Sequence, residues 1–177
     1  MKISDTQEKF IALQNKLFRI YYQERMLIID KLLLDKTSAK ASQSKRLRIN
    51  YNIHKQLDEP VNRMLNAMEP GTYVRPHRHL TPPKIEAHII LRGESDVLIF
   101  DNEGKLIQKI TLNFDIGNYG IDIPAGTWHS MIVKQPGTVI YEVKEGPFIP
   151  LIPEDFASWS PEPDDEEGVK VFFEQYS

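Results

Sequence analysis

The sequence predicts a mainly β protein, a barrel or sandwich of short strands, with an α-helical extension on its N-terminal side. Three observations lead there. From about Leu47 onward, short runs rich in β-branched and aromatic residues recur between turn residues, at spacings of about 8–12 residues. Upstream, over 5–34, Phe10, Leu13, Leu17, Ile20 and Tyr21, then Leu27, Ile28 and Leu32, recur at helical spacing. The composition, 177 residues with 41% hydrophobic and 27% charged, is that of a globular domain long enough to bury a core.

Taken in order, Ser4 and Gln7 have the spacing of a capping box at the start of the helical stretch, and Tyr21-Tyr22 is where it would divide into two helices. Its apolar stripe is expected to pack on the β body or on a second subunit. Residues 35–46, DKTSAKASQSKR, lose the apolar periodicity and read as a mobile connection. Its basic residues would form a solvated surface or present Arg46 and Arg48 to an anionic ligand. The predicted organisation is therefore 1–45 helical extension and linker, 46–163 β domain, and 164–177 an acidic tail whose apolar VFF docks on the body. Within the β domain, Asn102-Glu103-Gly104 marks a hairpin and Pro136-Gly137 joins another pair of strands.

Several function classes are disfavoured at once. There is no cysteine, so disulfides and thiolate metal sites are excluded, as a cytoplasmic protein would have it. A net charge of −3 offers no attraction to nucleic acid or anionic lipid. No signal peptide is expected, and the most apolar early stretch, Met26 to Leu34, contains Asp30 and Lys31 and is too short to span a bilayer. No serine or cysteine nucleophile and no phosphate-cradling glycine loop stands out.

The chemistry-bearing residues are His77, His79, Glu86 and His129. One residue separates His77 from His79, which on a strand puts both imidazoles on one face. Imidazole nitrogens with one carboxylate suit Zn, Fe(II), Mn(II), Ni(II) or Co(II) better than Ca or Mg. The surroundings read G-x5-H-x-H from Gly71 to His79, E-x6-G from Glu86 to Gly93, and P-x-G-x-x-H at Pro124, Gly126 and His129.

These segments resemble the two signature segments of the cupin superfamily. The resemblance implies a double-stranded β-helix, or jelly-roll, barrel in which both segments lie on neighbouring strands and converge on one divalent metal. Three departures are visible. Six residues separate His79 from Glu86 where the family usually has three or four, Asn118 replaces a glycine, and Val133 replaces an asparagine after the last histidine. Over 46–163 the runs PGTYVRPHRH, LRG, IPAGTWHS, VKEGPF, DFASWSPE and RLRINYNIHKQLDEPVNRMLNA resemble, more narrowly, the WbuC-type cupin-fold metalloproteins. That family's setting is O-antigen or surface-polysaccharide biosynthesis, and it supplies no assured reaction.

Strand parity extends the site. Tyr73 and Arg75 share the face of His77 and His79; His88, Ile90 and Arg92 share that of Glu86; and Met131 and Val133 share that of His129. Downstream, either Glu142 and Lys144 or Tyr141 and Val143 face inward. Along 46–54, polar Arg46, Arg48, Asn52 and His54 alternate with apolar Leu47, Ile49, Tyr51 and Ile53. The candidate substrate-binding residues are Tyr73, Arg75, Arg46 and His54, with Arg75 offering a guanidinium fork to a carboxylate or phosphate. Glu142 and His88 are the candidate proton-moving groups, and Trp128 is expected to pack as a wall.

Three functions fit. The first is a metal-dependent isomerase or epimerase acting on a sugar or nucleotide sugar. The second is an Fe(II) dioxygenase, and the third a non-catalytic sugar-binding cupin. A small-molecule ligand and a homodimer are the expected partners.

Overall fold

The computed structural model describes residues 26–177. The chain divides into a unit ending at Asp30 and a compact unit, Lys31–Ser177. The expected cap at Ser4 and Gln7 and the stripe from Phe10 to Tyr21 lie outside the described residues. Met26–Asp30 carry no helix, so the helix expected through Leu34 does not run unbroken.

The first described element overturns an expectation. Helix α1 spans Lys31–Ser42 and takes in most of the segment read as a mobile connection. Its short residues are not loop signals here. Thr37, Ser38 and Ala41 are buried, which lets the helix axis approach a sheet closely, and the Thr37 hydroxyl donates to the Leu33 carbonyl (2.8 Å) one turn back.

Eight strands follow: β1 (Arg48–Asn52), β2 (Val61–Met68), β3 (Glu86–Arg92), β4 (Ser95–Phe100), β5 (Leu106–Leu112), β6 (Gly120–Ile123), β7 (Trp128–Val133) and β8 (Thr138–Glu145). They form a five-stranded sheet in the order β1-β2-β8-β3-β6 and a three-stranded sheet in the order β5-β4-β7, with every pairing antiparallel. The chain passes between sheets at β3–β4, β5–β6, β6–β7 and β7–β8, so the connection at Pro136-Gly137 crosses the barrel, whereas Asn102–Gly104 closes the β4–β5 hairpin. This is the jelly-roll barrel of the cupin fold. At the β3–β4 crossing Gly93 has φ +81°, and a Cβ there would stand 2.8 Å from the Thr138 Cα, so the crossing requires glycine.

Alternating side chains sort into three layers. Between the sheets Met68, Ile90, Val97, Leu112, Ile123, Met131, Val133 and Ile140 form the inner core. On the outer face of the larger sheet, Leu65, Ala67 and Val139 pack with Ala41 of α1. Over the outer face of the smaller sheet, Leu98, Phe100, Trp128 and Ile132 are covered by Ala157 and Phe172. Each fully buried aliphatic side chain contributes about 1.5–3 kcal/mol, so the two outer layers stabilise the barrel as well as hide it.

The expected acidic tail is a helix. Helix α2 spans Glu166–Tyr176; the Asp165 carboxylate caps it by accepting from the Gly168 amide, and Glu166 and Glu167 complement the positive end of the helix dipole. The VFF segment docks as expected, with Phe172 5% exposed and T-shaped against Tyr73 (5.4 Å). No helix among the described residues is long and apolar enough to cross a membrane.

One irregularity redirects a side chain. Between Ile90 and Arg92 the β3–β8 register shifts, and Arg92 leaves the face shared by Glu86, His88 and Ile90. Expected to point inward, Arg92 instead reaches α1, where its guanidinium donates to Asp35 (2.6 Å), Ser38 (2.5 Å) and the Leu34 carbonyl (3.2 Å).

Candidate metal centre

His77, His79, Glu86 and His129 converge. One donor atom from each lies within 4.8 Å of the others, and Glu86 and His129 are 3% and 2% exposed. Two backbone hydrogen bonds tie His77 to His129 of β7: the His77 amide donates to the His129 carbonyl (3.0 Å), and the His129 amide to the His77 carbonyl (2.9 Å). Glu86 opens β3. The Leu80–Pro83 turn, closed by a bridge between those residues, takes up the longer spacer before it.

The imidazoles are oriented from behind. Nδ1 of His77 donates to the Arg75 carbonyl (3.0 Å), and Nδ1 of His129 to the Thr127 carbonyl (2.9 Å). That fixes the tautomer and leaves the Nε2 lone pairs facing inward, the arrangement a metal-binding histidine requires. His79 Nε2, His129 Nε2 and Glu86 Oε1 are all buried without a hydrogen-bond partner. His129 Nε2 lies 2.6 Å from Glu86 Oε1, and His79 Nε2 3.4 Å from Glu86 Oε2. Buried polar atoms are seldom left unsatisfied. Three of them facing one point, all electron-pair donors, fit a divalent cation.

The electrostatics are tightly linked. Burial pushes the His77 pKa well below its ordinary value, helped by the neighbouring His129. Burial also opposes charge on Glu86, but contacts with His129 and His79 outweigh it and hold the carboxyl well below the usual range. For His129, burial is outweighed by the adjacent Glu86, and its pKa rises.

The barrel interior extends the site into a cavity of about 200 Å³ lined by Arg48, Asn50, Asn66, Glu142, Lys144 and His88, together with His77, Glu86 and His129. Of the two alternatives on β8, Glu142 and Lys144 face inward. Lys144 Nζ lies 2.9 Å from Glu142 Oε1 and 3.5 Å from Glu86 Oε2, and the Asn66 amide donates to the other Glu142 oxygen. His88 Nε2 lies 3.9 Å from Glu142 and 4.0 Å from Glu86, and its Nδ1 is buried without a partner. Burial lowers the His88 pKa and would lower that of Lys144, but Glu142 and Glu86 raise the latter above its ordinary value. Glu86, His88 and Glu142 also lie close enough to share an ion, but Lys144 already supplies the positive charge there.

The four residues expected to bind substrate do not line this cavity. The Tyr73 hydroxyl donates to the Pro161 carbonyl (2.9 Å), and its ring packs in the outer aromatic layer. Arg75 is held by Glu162 (2.5 Å) and Ser160 (3.2 Å), with its guanidinium over the Phe156 ring. Pro76 and the irregular backbone of 72–76 interrupt the alternation, so Val74 faces the cavity and Tyr73 and Arg75 face outward. Arg46 is exposed, and its carbonyl accepts from Thr72 (2.7 Å). His54 Nδ1 contacts the backbone of Arg63. Trp128 packs on the outer layer, its indole donating to Asn102 (3.2 Å) beneath the Arg78 guanidinium.

Sequence reading singled out neither Asn50 nor Asn66. Asn50 shares the parity of Arg48, and pairs with Asn66 across β1–β2, so the alternation held a signal for both.

Fold and donor set together define a cupin barrel with a candidate metal centre. A protein-family profile described as a domain of unknown function, DUF6016, matches residues 29–112, a span that ends with β5 and includes His77, His79 and Glu86. No curated protein matches the chain. Among solved structures it is similar to KdgF from Halomonas sp., with 16% identity over 54% of this chain and 76% of that one and a TM-score of 0.43. It is also similar to a cupin superfamily protein from Desulfitobacterium hafniense, with 17% identity, 55% and 76% coverage and a TM-score of 0.44. A third is the DMSP lyase DddQ from Ruegeria pomeroyi, with 18% identity, 61% and 52% coverage and a TM-score of 0.47.

Proposed function

We propose that this chain is a divalent-metal cupin that moves a proton on a small sugar or related carbonyl compound, as an isomerase or epimerase. One observation carries the reading: the unsatisfied Nε2 and carboxylate donors sit in the same cavity as a second buried set, Glu142, His88 and Lys144. His77, His79, Glu86 and His129 would hold the ion. Bound there, a divalent metal supplies a Lewis acid for a carbonyl or enediolate oxygen.

The remaining work falls to side chains. Glu142 takes a proton at the oxygen facing His88, while Lys144 and the Asn66 amide orient its carboxylate. His88, whose pKa burial lowers, faces Glu142 through Nε2 and is the neutral group beside the proton that Glu142 takes. A setting in cytoplasmic surface-polysaccharide biosynthesis is supported by the WbuC-type resemblance over 46–163. A homodimer is supported by exposed Ile89, Phe114 and Tyr119, which give the barrel an uncovered apolar surface.

The test has two parts. Protein purified without tag or chelator should carry about one divalent ion per chain, and the His77→Ala/His129→Ala variant should carry none. In D2O, NMR should show deuterium entering a small aldose or ketose, and Glu142→Gln should abolish it. A metal-free native protein sinks the reading. Oxygen consumption that requires Fe(II), without deuterium exchange, replaces it with the dioxygenase, and saccharide binding without turnover replaces it with a binding protein.

A further inference from the structure

We infer that the cavity selects a small hydroxylated anion, with its carboxylate or phosphate seated on Arg48 and a hydroxyl on Asn66. This rests on the proposed metal site and names the ligand class that would share the cavity with the ion.

Arg48 is the only guanidinium lining the cavity, and no carboxylate pairs with it among the described residues. The contact recorded for its guanidinium is a donation from Nη1 to the Tyr73 carbonyl (2.5 Å), so donors of its fork remain for a planar or tetrahedral oxyanion. Burial, reinforced by nearby Arg46, lowers its pKa to about 10, which still leaves it charged at neutral pH. Asn66 Oδ1 is buried without a partner, while its amide is committed to Glu142. It is a free acceptor, and a ligand hydroxyl is the donor that would satisfy it.

Charge points the same way. The lining holds two carboxylates, Glu86 and Glu142, and two fixed cations, Arg48 and Lys144. A divalent ion would leave an excess of positive charge that an anionic ligand offsets. Size sets the other limit, with a cavity of only about 200 Å³. That suits a small polyhydroxy acid or polyol phosphate, and not the whole of a nucleotide sugar.

The experiment is calorimetric titration of Mn(II)-loaded protein with glycerate, gluconate, glycerol 3-phosphate, glycerol and sorbitol. At least one anion should bind about tenfold or more tighter than its neutral counterpart, and Arg48→Gln should weaken that anion by about 10–100-fold. Arg48→Gln should leave metal content and sorbitol affinity unchanged, and Arg48→Lys should restore part of the loss. Binding of the carboxylates alone, or of the phosphate alone, fixes which oxyanion is meant. Equal affinity for anions and polyols, no binding of any anion, or an Arg48→Gln variant that keeps folded-state melting and full anion affinity overturns the inference. If the protein binds no stoichiometric metal yet anion affinity still depends on Arg48, the metal reading falls and this one stands. If metal binds and Arg48→Gln changes nothing, the reverse holds.

Discussion

Lys144 Nζ stands 2.9 Å from Glu142 Oε1, an ion pair inside the barrel within reach of a third charge, Glu86. Removing one partner of a buried pair leaves the other charge uncompensated. Lys144→Met should therefore lower the stability of the metal-free protein by about 3 kcal/mol in urea unfolding. It should also open Glu86, His88 and Glu142 to a cation, so that divalent-metal titration of the variant rises from one ion per chain towards two. An unchanged stoichiometry would show that Lys144 is not what excludes a second ion.

The metal itself should stabilise the fold. At free metal about 100-fold above its dissociation constant, linkage gives about 2.7 kcal/mol, or roughly 5–10 °C in Tm for a chain of this size. Differential scanning calorimetry before and after chelation checks this. The His77→Ala/His129→Ala variant should show no such shift.

Arg92 clamps α1 to the barrel by way of Asp35, Ser38 and the Leu34 carbonyl, and its Nε donates to the Gly137 carbonyl (2.8 Å). Its partly exposed position discounts the ion pair, so Arg92→Ala should cost about 2 kcal/mol. Hydrogen exchange should quicken across Lys31–Ser42 and leave β4 and β7 unaltered.

Tyr73 predicts an alkaline limit. Burial raises its pKa from 10.0 to about 12, so the unfolded chain releases this proton first. Its contribution is fully present below about pH 10 and is lost as pH rises through the folded-state value near 12. Stability should fall across that window in the native protein and fall less in Tyr73→Phe, as measured by urea midpoints.

The convergence of the four candidate metal ligands was legible because each sits in a short local pattern whose meaning survives without the fold. His77 and His79 share a face by parity, and the glycine and proline turns flanking Glu86 and His129 bring distant segments back to one point. The rest of the cavity was harder to read because sheet order assembles it. The sequence β1-β2-β8-β3-β6 sets Asn66 of β2 beside Glu142 of β8, and no local spacing encodes that neighbour. Tyr73, Arg75 and Arg92 were misplaced for one reason: parity holds only along an unbroken strand, and Pro76 and the bulge after Ile90 each break it. The continuation of helix α1 past Leu34 was missed because Thr37, Ser38 and Ala41 pack through smallness, which leaves no apolar stripe to find.

The backbone around His77 has two neighbours. One is His129; the other is the segment at Phe156, where the Ala157 amide donates to the Pro76 carbonyl (3.0 Å) and the Arg78 amide to the Asp155 carbonyl (2.9 Å). A growing chain therefore has every donor of the metal centre in hand once His129 is made, yet lacks the strip that holds His77 in place until Asp155–Ala157 leave the ribosome. An ion held there would be gripped fully only late in synthesis. A nascent chain stalled between β8 and Phe156 would have all four candidate ligands and an unfinished support for His77.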